Sequence, residues 1–322
     1  MKKLLVILLA LTLVLAFAAC GNSEEPAGEE QTPETEEVVN EEETAETDEE
    51  AAGTEADTES DVLTEAALNY FASFPDTRHV IDAESLIERV KAGEELFILD
   101  IRSAEDYAAG HIQGAYNVPY ADVPTVLDQL PNDVEIFVNC YSGQTSSQTV
   151  ALLNIAGKFA TNVQSGFNNG ISQVAGYEEV ISTEVTPLPE GDYPVDETIK
   201  AAITDYYADA ASNTFRSFNI SAEQVKELVD AGSTDYTILS VRSAEDYAAG
   251  HIAGAINIPF GAGMQESFSQ IPTDKPVIVY CYTGQTASQV LGVLRMLGYD
   301  AYNMSGGMTN GWLAAGYEVV TE

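Results

Sequence analysis

Cysteine, histidine, tryptophan and basic residues are all scarce in this chain of 322 residues: three Cys, three His, one Trp and 13 Lys plus Arg. Three cysteines cannot build a disulfide framework. Three histidines and no closely paired cysteines give no metal-ligand spacing, so neither a metal nor another cofactor is expected. The few cations face 52 Asp plus Glu, for a net charge of −39. That balance argues against a nucleic-acid partner and against electrostatic attraction of anionic substrates. Long apolar runs are missing too. The one candidate, residues 4–19, falls short of the roughly 20 residues that span a hydrocarbon core.

What the N-terminus does have is Lys2 and Lys3, that apolar run, and then Cys20 directly behind Ala18 and Ala19. Basic start, apolar stretch and small-residue end read as a secretory signal over residues 1–20. The cysteine after Ala-Ala resembles the lipobox of bacterial lipoproteins, in which it is acylated and becomes the mature first residue. An uncleaved anchor helix is the alternative, and either reading puts the rest of the chain on the extracytoplasmic face of a cell membrane. Residues 21–61 follow as an acidic segment. From Asn22 to Asp61 it holds eighteen Asp or Glu and no Lys or Arg, which predicts an unfolded tether. Setting aside those acids and the two signal lysines still leaves the remainder near −23.

The rest is a duplication. RSAEDYAAGHI occurs at Arg102–Ile112 and again at Arg242–Ile252, and each copy is followed about thirty residues later by a cysteine, in CYSGQTSSQ from Cys140 and CYTGQTASQ from Cys281. A period near 140 residues is domain-sized and too long for a solenoid or propeller blade. Two domains, 62–182 and 196–322, each with its own core, are therefore expected, joined by a Pro-containing linker at 183–195. Two thiols in matching places of separate domains are poorly placed to bridge one another. Free thiols retained in an oxidising compartment point to reactivity.

Each copy alternates strand and helix patterns. Ser221 with Gln224, and Asp82 in the first copy, start amphipathic helices that Gly232 and Gly93 stop. LFILDI, YTILSV, EIFVNC and VIVYC read as buried strands. Helical patterns follow from about Ser146 and Ala287 to Gly157 and Gly298. The order predicts an α/β fold: in each domain a largely parallel sheet with helices on both faces. Two further amphipathic stretches, Leu63–Phe71 and Ile199–Tyr207, read as helices packing each on its own domain.

Ligands in such folds sit beyond the carboxyl ends of the strands, and each cysteine lies there, in a Gly-containing turn entering a helix. Unpaired backbone N–H groups at a helix mouth stabilise an anion. About 2 kcal/mol of preference brings a free thiol to half ionisation near neutrality, and one or two N–H bonds to charged sulfur cover that. The arithmetic matters because positions 141–147 and 282–288 contain no Lys, Arg or His. His111 and His251 stand well before the thiols and read as structural. His79 has no counterpart and reads as a surface residue. Arg102 and Arg242, with Glu105 and Glu245, read as structural ion pairs or helix-start contacts.

DIRSAEDYAAGHIQGAYNVPY, its twin SVRSAEDYAAGHIAGAINIPF, the loops CYSGQT and CYTGQT, and the late SGGMTNGW (Ser305–Trp312) together resemble rhodanese-homology domains. The resemblance implies a sulfurtransferase without a cofactor, in which Cys140 and Cys281 take up sulfane sulfur as a persulfide. Tyr141, Ser142, Gly143, Gln144 and Thr145, with Tyr282, Thr283, Gly284, Gln285 and Thr286, would supply the amides around the outer sulfur. Partners would be a small sulfur donor and a thiol acceptor, which could be a protein thiol. Six-residue loops belong to the sulfurtransferase branch rather than to the related phosphatases. Gln144 and Gln285 stand where thiosulfate users often have Arg or Lys, so thiosulfate is expected to be a poor donor. Asp100 becomes Ser240 in the second copy, while SGFNNGI in the first lacks the Gly-Gly and Trp of the second. The fuller match favours Cys281 over Cys140. A non-catalytic binding or redox-sensing module is the rival reading.

Overall fold

The computed structural model describes the backbone from Glu49 and side chains from Asp61 to Glu322, so Cys20 and the signal lie outside the described residues. In the first repeat, β1 (Val80–Ile81), β2 (Phe97–Asp100), β3 (Tyr116–Asn117), β4 (Glu135–Asn139) and β5 (Phe159–Val163) form one sheet. Its order is β1-β5-β4-β2-β3, with every pairing parallel. The second repeat reproduces this with β6 (Asn219–Ile220), β7 (Thr237–Ser240), β8 (Ile256–Asn257), β9 (Val277–Tyr280) and β10 (Ala301–Met304), in the order β6-β10-β9-β7-β8. The central strands β4 and β9 lead to the cysteines. Both faces of them are covered, which is why they read as unbroken apolar runs.

The α-helices of six residues or more are α1 (Glu49–Ala72), α2 (Ala83–Lys91), α3 (Ala104–Ala109), α4 (Gln144–Ile155), α5 (Glu197–Ser212), α6 (Ala222–Asp230), α7 (Ala244–Ala249) and α8 (Gln285–Met296). Asp82 caps α2 through Ser85 N–H, and Ser221 with Gln224 forms the full capping box on α6. Outer faces carry separate clusters: Leu86, Ile87, Phe137 and Val163 in the first repeat, Val225, Ile278, Met304 and Trp312 in the second. The inner faces do not. Val150, Leu152 and Leu153 of α4 belong to one continuous core with Val290, Leu291 and Leu294 of α8. The two repeats thus share an inner core instead of each enclosing its own. Gly292 lets the two helices approach closely, since a β-carbon there would lie 3.1 Å from that of Ala151.

The helices preceding each repeat reach across to the other repeat while also touching their own. Tyr70 Oη of α1 donates to Gln289 Oε1 of the second repeat at 2.8 Å, and Phe71 meets Phe260 and Phe268 edge-on. Reciprocally, Tyr206 Oη of α5 donates to Gln148 Oε1 of the first repeat at 2.9 Å, and Tyr207 Oη pairs with Thr149 Oγ1. Packing on the own domain was only half of the answer: α1 also lies against α4 and His79 of its own repeat and α5 against α8 of its own, since an apolar stripe states that a face is covered, not by which partners. Helix α1 also begins at Glu49, inside the stretch read as unfolded to Asp61. Once Tyr70 and Phe71 anchor the last turns, Ala- and Glu-rich sequence extends an existing helix at little cost. The segment 183–195 is laid along the first repeat, with Tyr193 N–H on Asp128 O and Val195 N–H on Asp128 Oδ1.

His79 is buried, not superficial. Its ring lies among Tyr70 and Phe74, and the residue in the matching place before β6 is the fully buried Phe218. Burial lowers its pKa from 6.5 to about 4. Between those values the unfolded chain binds a proton that the folded chain refuses, so stability falls as pH drops through that window. His79→Phe should therefore stabilise the protein more at pH 4.5 than at pH 7.5, by about 1–3 kcal/mol. Urea unfolding at both pH values measures this, and an equal effect at the two would refute it.

Candidate active site

Each cysteine is the residue immediately after its central strand. Three residues on, Gly143 and Gly284 take left-handed φ values of +84° and +85°, and the helix starts at the next residue. The helices thus begin at Gln144 and Gln285, two residues ahead of the pattern's suggestion. Because the left-handed glycine turns its N–H back toward the strand end, Cys140 Sγ accepts from Gly143 N–H and Cys281 Sγ from Gly284 N–H, both at 3.1 Å. Both cysteines are only 1% exposed.

The two sulfurs differ by one hydrogen-bond partner. Ser146 Oγ sits 3.1 Å from Cys140 Sγ and 2.6 Å from Asn162 Oδ1, whereas the second loop has Ala287 there. A hydroxyl has one hydrogen, which can go to Asn162 while the sulfur is protonated and rotate to the sulfur once it is ionised. Sequence reasoning passed over Ser146. Its signal was the Ser/Ala difference between otherwise near-identical loops.

The repeated RSAEDYAAGHI holds the loop from outside. Ser103 and Ser243 cap α3 and α7. Tyr141 Oη then donates to Asp106 Oδ2, and Tyr282 Oη to Asp246 Oδ2, each at 2.5 Å. Bonds from Ser103 and Tyr141 hold the Asp106 carboxyl below the usual carboxylate range, and Tyr282 with Ser243 does the same for Asp246. His111 stacks on Tyr107 at 3.5 Å and its Nδ1 meets Tyr107 O, and His251 is placed likewise on Tyr247, so both order the motif itself. The ion-pair expectation needs correction. Arg102 binds Asp100 at 2.6 Å rather than Glu105, which is exposed. Arg242, facing Ser240, has no such carboxylate; its Nε is unpaired, and Tyr280 and Tyr282 flank its guanidinium.

The glutamines do something the sequence did not disclose: their side chains cross between repeats. Gln144 Oε1 accepts from Asn303 Nδ2 at 2.9 Å and from Gly306 N–H at 3.3 Å. Gln285 Oε1 accepts from Asn162 Nδ2 at 3.3 Å and from Ser165 N–H at 2.8 Å. Those segments underlie the thiol loops, since Phe167 N–H donates to Cys140 O and Met308 N–H to Cys281 O. A β-carbon at Gly284 would lie 2.5 Å from Gln144 Oε1 and would displace that side chain, while the φ of +85° by itself favours glycine. Gln144 and Gln285 therefore brace the opposite loop, while Thr145 and Thr286 sit in the first helical turn and Ser142 and Thr283 accept from the glutamine amides of their own loops. Among the described residues, no cluster of His, Cys, Asp and Glu is placed to hold a metal ion.

Comparison with known proteins bears on this arrangement. A family model, the rhodanese-like domain, matches residues 82–176 and again 221–315. A thiosulfate sulfurtransferase of Pseudomonas aeruginosa is 23% identical over 281 residues, covering 74% of this chain and 95% of that protein. A putative sulfurtransferase of Bacillus subtilis, YtwF, is 33% identical over 86 residues, 27% of this chain and 84% of that protein. The crystal structure of a rhodanese-related protein from Thermoplasma volcanium is 31% identical, covering 32% of this chain and 98% of that one, at a TM-score of 0.29.

Ser146→Ala should slow alkylation of Cys140 by iodoacetamide about tenfold, the loss of one charge-assisted hydrogen bond near 1.5 kcal/mol. Peptide mass spectrometry reads the two cysteines separately. An equal slowing at Cys281, or none at Cys140, would remove the serine from the account.

Proposed function

The chain belongs to the rhodanese-like family, two copies of whose domain it carries, and from that premise we propose that Cys140 and Cys281 relay sulfane sulfur as persulfides. The cysteine thiolate attacks the outer sulfur of a donor, the new S–S bond forms as the donor's own bond to that sulfur breaks, and the donor leaves with the electron pair. A thiol acceptor then attacks the outer sulfur and restores the thiolate. The observation that carries this reading is the same in both repeats: a sulfur at the mouth of a twelve-residue helix, accepting a glycine N–H at 3.1 Å. With no cation in either loop, thiosulfate loses a charge-assisted contact of about 1.5–3 kcal/mol and binds at least about tenfold more weakly. Neutral or thiol-bound sulfur is the better donor class.

Cys20 as a lipid attachment site would put the relay on the extracytoplasmic side of a bacterial cell membrane, with the acidic segment after it as a spacer. A non-catalytic binding or redox-sensing module is the alternative. The burial of both sulfurs favours it, because a shielded thiol can be a small apolar core residue.

Intact mass after exposure to a sulfane donor separates the two readings, in wild type and in Cys140→Ser and Cys281→Ser. A sulfur adduct on either thiol, discharged by cyanide or glutathione, is the expected result. Protein that stays free of adduct overturns the transferase reading.

A further inference from the structure

The two repeats differ in the space beside their thiol loops. Next to the first loop lies a cavity of about 700 Å³, bounded on the loop side by Tyr141 and Thr145. Its other walls come from Tyr120 of the first repeat and from Tyr207, Ala210 and Arg216, which approach the second repeat in sequence. The reach of α5 across to the first repeat supplies one wall of this cavity. Exposed Arg216 is the cation in its wall, and among the described residues it makes no ion pair.

At the second loop aromatic side chains stand at the matching place. Tyr70 and Phe71 of α1 stand where Tyr206 and Tyr207 of α5 stand, and three residues after each pair the chain has Phe74 in one case and Ala210 in the other. The Phe74 ring lies 5.0 Å from Phe260, the residue matching Tyr120, and the Arg78 guanidinium covers the same ring at 4.9 Å. An aromatic plug therefore replaces the methyl group of Ala210.

We propose that the cavity beside the first thiol loop, which Tyr141 and Thr145 line and which stops short of the buried Cys140 sulfur, takes an organic hydropersulfide, R–S–SH, whose R group has an apolar body and one carboxylate held by Arg216, its persulfide end reaching past the loop to Cys140. The inference rests on the transferase reading above. A space of this volume is of the size that encloses small organic ligands and is far larger than an inorganic sulfur anion. Its walls combine aromatic and methyl surface with one guanidinium, and guanidinium binds carboxylate bidentately. In the step itself, Cys140 Sγ as thiolate attacks the outer sulfur of R–S–SH. The Sγ–S bond forms, the R–S to S bond breaks, R–S⁻ leaves with the electron pair, and the proton stays on the transferred sulfur. No oxidant or reductant is consumed. Cys140, rather than the Cys281 favoured by motif completeness, is the entry thiol for such donors.

The test uses the hydropersulfide of 4-(mercaptomethyl)benzoate, its methyl ester, and inorganic polysulfide. Loading of Cys140 and Cys281 is followed by peptide mass spectrometry. With the benzoate donor, Cys140 should load at least tenfold faster than Cys281. Arg216→Gln should lower the acid-to-ester rate ratio at Cys140 about tenfold, one charge-assisted contact, and Arg216→Lys should restore much of it. Ala210→Phe, which copies the plug of the second repeat, should lower the ratio of benzoate to polysulfide loading at Cys140 by at least tenfold. Equal loading of the two thiols by the benzoate donor, or an acid-to-ester ratio indifferent to Arg216→Gln, would overturn the inference. If polysulfide loads Cys140 under those circumstances, the transferase reading stands and only the donor assignment falls. If no donor loads either thiol, both fall together.

Discussion

The structure depends on the closure of the two repeats over a common inner core, where α4 and α8 meet closely at Gly292 and Ala151, a β-carbon on Gly292 lying 3.1 Å from that of Ala151. That contact brings the helix starts, and hence the thiol loops, near the interface, so that Gln144 and Gln285 reach across it. Each glutamine oxygen accepts both a backbone N–H and an asparagine amide from the opposite repeat. Buried polar groups require such partners. The segments they hold, at Ser165 and Gly306, in turn sit under the loop of their own repeat. Two sites built this way are structurally conditional on each other.

Within that symmetry the sequence has drifted at points that bear on chemistry. The first repeat keeps the Asp100–Arg102 pair, a hydroxyl at Ser146 and an open cavity floored by Ala210. The second has Ser240, Ala287 and the Phe74 plug, and gains the Gly306–Gly307 turn and the buried Trp312. Where the second repeat has Gly306 at φ +72°, the first places Ser165 at φ +62°, a left-handed residue that costs about 1–2 kcal/mol without glycine. The repeat that departs further from the family pattern is thus the one with the better-provisioned thiol. Completeness of a motif and readiness of a site are separate properties here.

Much of this was legible in the chain. Alternating strand and helix patterns, with Cys140 and Cys281 at strand ends before a glycine, led to the parallel sheets and to the sulfur beneath a helix start. The structural role of His111 and His251 followed from their distance from the thiols. The reach of α1 and α5 across to the other repeat was not legible, because amphipathicity is a property of one helix and the choice of partner is a property of two surfaces. The same limit hid the glutamines: Gln144 reads as a loop residue facing substrate unless the other repeat is known to lie against it. His79 misled for a different reason. A lone histidine after an arginine carries no periodic signal, and only its register with Phe218 before the matching strand reveals a core position. Ser146 was visible as a sequence difference but had no meaning until its hydroxyl was found beside the sulfur.

The central claim is that each thiol loop is completed by the opposite repeat. Its most direct test is the rate at which inorganic polysulfide loads Cys281 in Gln144→Leu, read against Cys140 in the same molecule. Removing the Gln144 oxygen leaves Gly306 N–H and Asn303 without their acceptor, so the account predicts the larger slowing at Cys281, the more distant thiol in sequence. Slowing confined to Cys140, in the loop that carries the substitution, would contradict it.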